Sequence, residues 1–193
     1  MIRTFVFSIS LTLLLMARIS VADTLSFQPV TTYPDGTNDF AVVVADFNGD
    51  VYRDLAVLNF RDNTISILLG NGDGTFQPTT MIGGDTNSFS IATADFNDDH
   101  RADLVITGSS GVTVLLGNGD GTFQPAHSYP AGSSVSSVHV ADFNSDGKLD
   151  LAVANANGVG VLLGNDDGTF QPDVDYSVGM GTSILHALIA LFA

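Results

Sequence analysis

The chain has 193 residues, with 6 basic against 21 acidic side chains and a formal net charge of −15. Every acidic residue is aspartate, and glutamate and cysteine are absent. This balance excludes nucleic acid and anionic membranes, which are held by basic surfaces, and it excludes disulfides and thiolate metal sites.

Arg3, the apolar run from Phe5 to Met16 and the small residues Ser20-Val21-Ala22 predict a secretory signal peptide over residues 1–22. The run is shorter than the ~20 residues of a spanning helix, so no membrane span is expected in the mature chain. Export is therefore expected, to the medium, the cell surface or the periplasm. Phe27-Gln28-Pro29 then opens a periodic region, because the same tripeptide returns at Phe76, Phe123 and Phe170, with spacings of 49, 47 and 47 residues. Such periods belong to propellers, solenoids and arrays, whose units bury their apolar faces on one another. The phase marks divide residues 23–182 into repeats at 27–75, 76–122 and 123–169, with a partial one from 170.

Within the first repeat, the β-branched run from Phe40 to Ala45 predicts a strand that enters an acidic loop. Asp54-Leu55-Ala56-Val57-Leu58 predicts a second strand, Phe60 to Asn63 a polar turn, and Thr64 to Leu69 a third strand. Gly70-Asn71-Gly72-Asp73-Gly74 supplies the positive φ angles of a tight turn. A fourth, more exposed strand follows, as from Phe123 to Tyr129 in a later repeat. Four antiparallel strands per unit and no helical period describe a propeller blade.

The acidic loop is the part that carries chemistry. ADFNGDVYRD from Ala45 returns as ADFNDDHRAD from Ala94 and as ADFNSDGKLD from Ala141. Counted from the first Asp, each copy has Asp, Asn, Asp and Asp at positions 1, 3, 5 and 9, while positions 4, 6, 7 and 8 vary. An array of hard oxygen donors suits calcium, and suits magnesium less because magnesium tends to keep its waters. These loops are not EF-hands: Val57, Ile106 and Val153 stand where a bidentate Glu would be required. The glycine turn lacks the Lys and Ser or Thr of a phosphate-binding loop. His100, His127, His139 and His186 have no partner at zinc-ligand spacing, and no catalytic constellation is visible, so the chain is not expected to be an enzyme.

ADFNxDxxxD followed by DLAV and then LLGNGDGTFQP resembles the FG-GAP (VCBS-type) repeat of integrin α-subunit propellers and of exported bacterial proteins. The resemblance covers Phe27 to Thr182. It implies an all-β fold, a partial β-propeller of about three four-stranded antiparallel blades plus an incomplete fourth, with calcium in the loop joining the first two strands of a blade. The side-chain ligands it implies are Asp46, Asn48, Asp50 and Asp54; Asp95, Asn97, Asp99 and Asp103; and Asp142, Asn144, Asp146 and Asp150. Position 7, held by Tyr52, Arg101 and Lys148, would add its backbone carbonyl. About three calcium ions are expected.

With the 47-residue offset, Val138-His139-Val140 aligns with Leu185-His186-Ala187, but Ile189 replaces the loop-opening Asp142. Residues 183–193 are thus a divergent apolar tail. Closed propellers have roughly four to eight blades, so self-association through incomplete blades is one expectation. Two functions stay open at this stage. One is a secreted or surface calcium-binding scaffold that binds or adheres to a protein or glycan. The other is a fragment of an exported propeller-type enzyme, such as a polysaccharide lyase or dehydratase, with its catalytic residues outside this chain.

Overall fold

The computed structural model describes residues 32–33 and 39–178. The chain divides into the units Met1–Thr32 and Tyr33–Ala193, and the strands described lie in the second. The expected signal segment, the first Phe-Gln-Pro, the part of the expected fourth repeat after Val178 and the apolar tail with His186 lie outside the described residues.

Every regular element among the described residues is a β-strand. The first sheet is β1 (Asp39–Ala45), β2 (Asp54–Asn59), β3 (Thr64–Leu68) and β4 (Thr80–Gly83). The second is β5 (Ile91–Ala94), β6 (Asp103–Thr107), β7 (Gly111–Leu115) and β8 (His127–Pro130). The third is β9 (Ser137–Ala141), β10 (Asp150–Asn155), β11 (Gly158–Leu162) and β12 (Val174–Tyr176). Each strand pairs antiparallel with its neighbours in sequence, so every sheet is a four-stranded meander. The fourth strands are shorter than expected. The segment from Phe170 to Tyr176, expected to open a partial repeat, instead completes the third sheet through Gly164↔Phe170 and Val161↔Val174.

Strand alternation gives each sheet two apolar faces, because successive side chains point to opposite sides. In the second sheet, Ile91, Leu104, Ile106 and Leu115 pack on Ala45, Ala56, Ile65 and Ile67 of the first. Its opposite side, with Val105, Val112 and Val114, receives Val138, Leu151, Val153 and Leu162 of the third. Small alanines on one partner facing Leu and Ile on the other let the layers interdigitate at crystal-like density.

A second contact locks consecutive sheets at the end where the acidic loops lie. The ring of Phe47, from the first loop, meets Phe123 of the second sheet edge-on at 5.8 Å, and the Phe47 carbonyl accepts the Gly121 N–H at 2.9 Å. Phe96 repeats both contacts one sheet later, with Phe170 at 5.6 Å and Gly168 N–H at 2.9 Å. Glycine is required at Gly168, where φ is +79° and a Cβ would lie 2.7 Å from the Leu116 side chain.

Phe96 is buried in this lock, and truncating such a ring typically costs ~3–5 kcal/mol. Phe96→Ala is expected to lose stability on that scale in denaturant titration, whereas the exposed Gln77→Ala loses little. Equal losses would show that the ring does not hold the sheets together.

Candidate metal centres

Each acidic loop begins where a β-ladder ends. Ala45↔Asp54 and Ala94↔Asp103 close their ladders, and Asp150↔Ala141 does so in the third sheet. The position 9 aspartates, Asp54, Asp103 and Asp150, are therefore the first residues of the second strands and are fully buried.

Asp54 accepts the Phe47 N–H on Oδ2 at 2.8 Å and the Gly70 N–H on Oδ1 at 2.7 Å. Asp103 does the same with Phe96 at 2.8 Å and Gly117 at 2.7 Å, and Asp150 with Phe143 at 2.9 Å and Gly164 at 2.9 Å. One carboxylate thus ties the loop to the end of the third strand. The approach is close enough that a Cβ on Gly70 would lie 2.3 Å from the Arg53 carbonyl oxygen, which explains a glycine there with ordinary φ.

Position 1 caps the loop from within. Asp46 Oδ1 accepts from Gly49 and Asp50 at 2.7 and 3.2 Å, and Oδ2 accepts from Val51 at 2.8 Å. Burial works against this carboxylate, but the N–H groups of Val51, Gly49, Asn48 and Asp50 outweigh it and hold its pKa below the ordinary value. Asp95 accepts from His100 at 2.7 Å and Asp142 from Gly147 at 2.8 Å. The Gly147 N–H, with further backbone donors, also depresses the pKa of Asp142.

Positions 3 and 5 face each other. Asn48 Nδ2 donates to Asp50 Oδ2 at 2.9 Å, Asn97 to Asp99 at 3.1 Å, and Asn144 to Asp146 at 3.0 Å. The second position 5 oxygen accepts the N–H of position 7, Tyr52, Arg101 or Lys148, each at 2.9 Å. Arg101 also reaches Asp99 with its guanidinium at 3.8 Å.

All the residues expected at positions 1, 3, 5, 7 and 9 therefore share one loop end in each blade, in one hydrogen-bonding pattern. The carboxylates do not crowd onto a single point, however. Among the described residues, three carboxylate or imidazole ligand atoms come within 4.8 Å of one another only at Asp95, Asp98 and His100. That group is exposed apart from Asp95, and the adjacent Asp98-Asp99-His100 was its only mark in the sequence.

The donor set nonetheless fits a hard cation. A carboxylate oxygen has two lone pairs, and in the first loop Asp46 Oδ2 and both oxygens of Asp50 and Asp54 each accept only one hydrogen bond. Oxygen capacity remains at positions 1, 5 and 9. The charges also act on one another: burial, with the Asp99 and Asp95 carboxylates adding to it, pushes Asp103 up to about 6 against the pull of its two N–H partners. A cation would relieve that repulsion.

The loops turn by two left-handed residues. Position 4 is Gly49, Asp98 or Ser145, with φ of 77°, 55° and 61°; position 6 is Val51, His100 or Gly147, with φ of 70°, 64° and 86°. Val51 is a β-branched residue in a region such residues avoid, and it is 82% exposed, so no packing compensates.

The glycine turns after the third strands are structural. Asp73 accepts the Thr75 N–H and hydroxyl at 2.9 and 2.6 Å, and the hydroxyl bond, with the backbone one, lowers its pKa. His127 and His139 lie in β8 and β9 as expected, and His139 Nε2 is 3.2 Å from Ser137 Oγ. Asp85, in the connection between the first two sheets, is tied to β7: its Oδ2 accepts from Thr113 at 3.0 Å.

Antiparallel blades that stack in sequence without closing, each with one acidic loop, define a partial β-propeller of repeated blades. The FG-GAP-like repeat family matches three times, over residues 46–106, 95–153 and 142–190. The chain belongs to that family. No curated protein matches it. Among solved structures, it is similar to an Agrocybe aegerita lectin described as recognising non-reducing terminal N-acetylglucosamine, with 26% identity and a TM-score of 0.52. The match covers 70% of this chain and 38% of the lectin, so the chain spans well under half the length of that relative. A Tc holotoxin pore of Photorhabdus luminescens matches at 20% identity and a TM-score of 0.46, covering 72% of this chain and 7% of that one.

Two outcomes separate scaffold from ligand roles. In chelator, Asp54→Ala leaves two buried N–H groups unpaired and is expected to cost at least ~2 kcal/mol, whereas Asp50→Ala costs less than ~1 kcal/mol because Asp50 is only half-buried and water can replace its bonds. Thermal melts that rank the two variants the other way would contradict the assignment of Asp54 as the buried tie. Val51→Gly is expected to raise stability by up to ~1 kcal/mol, the left-handed strain of ~1–2 kcal/mol less the entropy of a new glycine; a lowered melting temperature would count against strain at that position.

Proposed function

We infer that the chain is an exported, non-catalytic calcium-binding module whose stacked blades present a recognition surface to a glycan. The observation that carries this reading is the recurrence, in three loops, of one oxygen-donor pattern on one backbone path. Calcium would be held by Asp46, Asn48, Asp50 and Asp54 and by their counterparts at Asp95, Asn97, Asp99 and Asp103 and at Asp142, Asn144, Asp146 and Asp150. The ion supplies charge neutralisation and cross-linking in place of disulfides. The protein's own part is to hold the loop carbonyls that receive the next blade. The glycan half of the reading is supported by the similarity to a lectin and by a surface too acidic for anionic partners. The signal-like segment over 1–22 supports export.

Calorimetric titration of the metal-free chain is expected to show uptake of about three calcium ions, with the melting temperature rising with the logarithm of ligand excess. Asp95→Ala should remove one of the three sites. No uptake, or a melting temperature indifferent to EDTA, would overturn the calcium reading. On a glycan array in calcium, retention on a defined saccharide class that EDTA abolishes is expected, and the absence of any retention would overturn the glycan half alone.

A further inference from the structure

One peptide bond in the acidic loops differs chemically from its equivalents. Position 3 is asparagine in all three loops, but the residue after it is Gly49 in the first, Asp98 in the second and Ser145 in the third. These three share one left-handed backbone, with φ of 77°, 55° and 61°. Packing does not demand glycine either, since a Cβ on Gly49 would meet the Gly119 carbonyl oxygen at an ordinary 3.6 Å. The fold accepts a side chain at this place, as the other two loops show, and the first loop leaves it out.

That omission exposes a nucleophile. The backbone nitrogen that follows an asparagine can attack the side-chain amide carbon, and a glycine there has no Cβ to shield it. In the first loop the reacting atoms are held together. Asn48 Oδ1 accepts the Asp50 N–H at 3.1 Å, which closes an Asx-turn. The hydrogen-bonded ring of such a turn runs through Cγ, Cβ, Cα and the carbonyl carbon of the asparagine and the nitrogen of the next residue, and these are all the atoms of a succinimide ring. The Gly49 N–H donates to Asp46 Oδ1 at 2.7 Å, an anionic acceptor that enriches the nitrogen. The Asp50 N–H already sits on Oδ1, where negative charge gathers as the nitrogen adds to Cγ. Gly49 is exposed, so water reaches the bond.

Other asparagines of the chain have one of these features. Asn97 and Asn144 make the same turn, accepting from Asp99 at 3.3 Å and from Asp146 at 3.0 Å, but a side chain flanks the nitrogen that would attack. The remaining Asn-Gly pairs are Asn71-Gly72, Asn118-Gly119 and Asn157-Gly158. Their side-chain amides donate to the hydroxyls of Thr75 and Thr122, at 2.8 and 2.9 Å, and to the Asp175 carboxylate at 3.0 Å. Of these asparagines, Asn48 alone joins the turn of the acidic loops to a following glycine.

We propose that Asn48 is a self-modification site, at which the first loop converts its own amide to a carboxylate with water as the co-reactant. The Gly49 nitrogen bonds to Asn48 Cγ, the Cγ–Nδ2 bond breaks, and the amine leaves as ammonia with the Gly49 proton, relayed by water. A water molecule then opens the succinimide. Attack at the side-chain carbonyl leaves aspartate, and attack at the main-chain carbonyl leaves isoaspartate, whose backbone runs through Cβ and is longer by that carbon. The added length falls between Asp46 and the N–H groups of Gly49, Asp50 and Val51 that its carboxylate gathers. The first loop then loses its shape while the other two keep theirs, so the stack carries a one-way clock in its first blade.

The test incubates the full chain in warm neutral buffer with EDTA, so that the outcome does not hinge on calcium. Peptide masses and labelling by an isoaspartyl methyltransferase follow each asparagine. Asn48 is expected to convert first among the four Asn-Gly pairs. It is also expected to convert at least about tenfold faster than Asn97 and Asn144. In guanidinium, where the turn is lost, the Asn-Gly pairs are expected to convert at similar rates. Gly49→Ser, which copies Ser145 of the third loop, is expected to keep the circular dichroism of the parent and to slow Asn48 to the rate of Asn144. An Asn48 that converts no faster than Asn157 in the folded chain overturns the proposal. So does a lead that persists in guanidinium, and both of these are read on the unaltered chain.

Discussion

Two backbone N–H groups end on one buried carboxylate in each blade, and the rest of the architecture depends on that arrangement. An ionised aspartate out of water is tolerable only when its oxygens are paired. Asp54 meets the condition by drawing in Phe47 N–H from the loop and Gly70 N–H from the end of the third strand. This fixes where the loop leaves the sheet and where the glycine turn begins. It also sets the Phe47 ring and carbonyl toward the following sheet. Remove the carboxylate and three separate features lose their reference point at once.

The loops join two roles that pull differently on the same residues. Positions 1 and 5 gather backbone N–H groups and keep the loop in shape, and at Asp46 and Asp142 those donors lower the pKa. Position 9 sits deeper, and burial together with its neighbours' charges raises the pKa of Asp103. The path of each loop is set by hydrogen bonds among its own residues, and a cation bound there as proposed would relieve the repulsion between its carboxylates.

The strand pattern and the phase of the repeat were legible because β-branched runs alternate with clusters of Asn, Asp and Gly, and local chemistry of that kind decides where ladders start and stop. Loop positions 1, 3, 5 and 9 were legible as oxygen donors. The double hydrogen bond of Asp54 was not, since it depends on the approach of a glycine 16 residues away. Gly70 reads as a turn residue but is needed for close contact with Arg53. The left-handed backbone at Val51 had no mark either, because Val is the last residue one would assign to it; only Gly147 in the third loop hints at the conformation. Asp85 reads as part of a variable connection, yet it ties that connection to β7 through Thr113.

The carbonyl of each loop phenylalanine receives the glycine N–H of the sheet that follows, so the stack has a direction. Whatever stiffens one loop prepares the landing site of the next blade, and by thermodynamic reciprocity the docked blade favours the stiff form of the loop beneath it. The three loops differ in exposure: Asp142 and Asp146 are exposed and Phe143 half-buried, where Asp46, Asp50, Asp95 and Asp99 are half-buried and Phe47 and Phe96 buried. If the loops take calcium as proposed, equivalent oxygen donors would bind it with graded affinities, and loading would advance along the blades as a chain of nearest-neighbour couplings rather than as three independent equilibria.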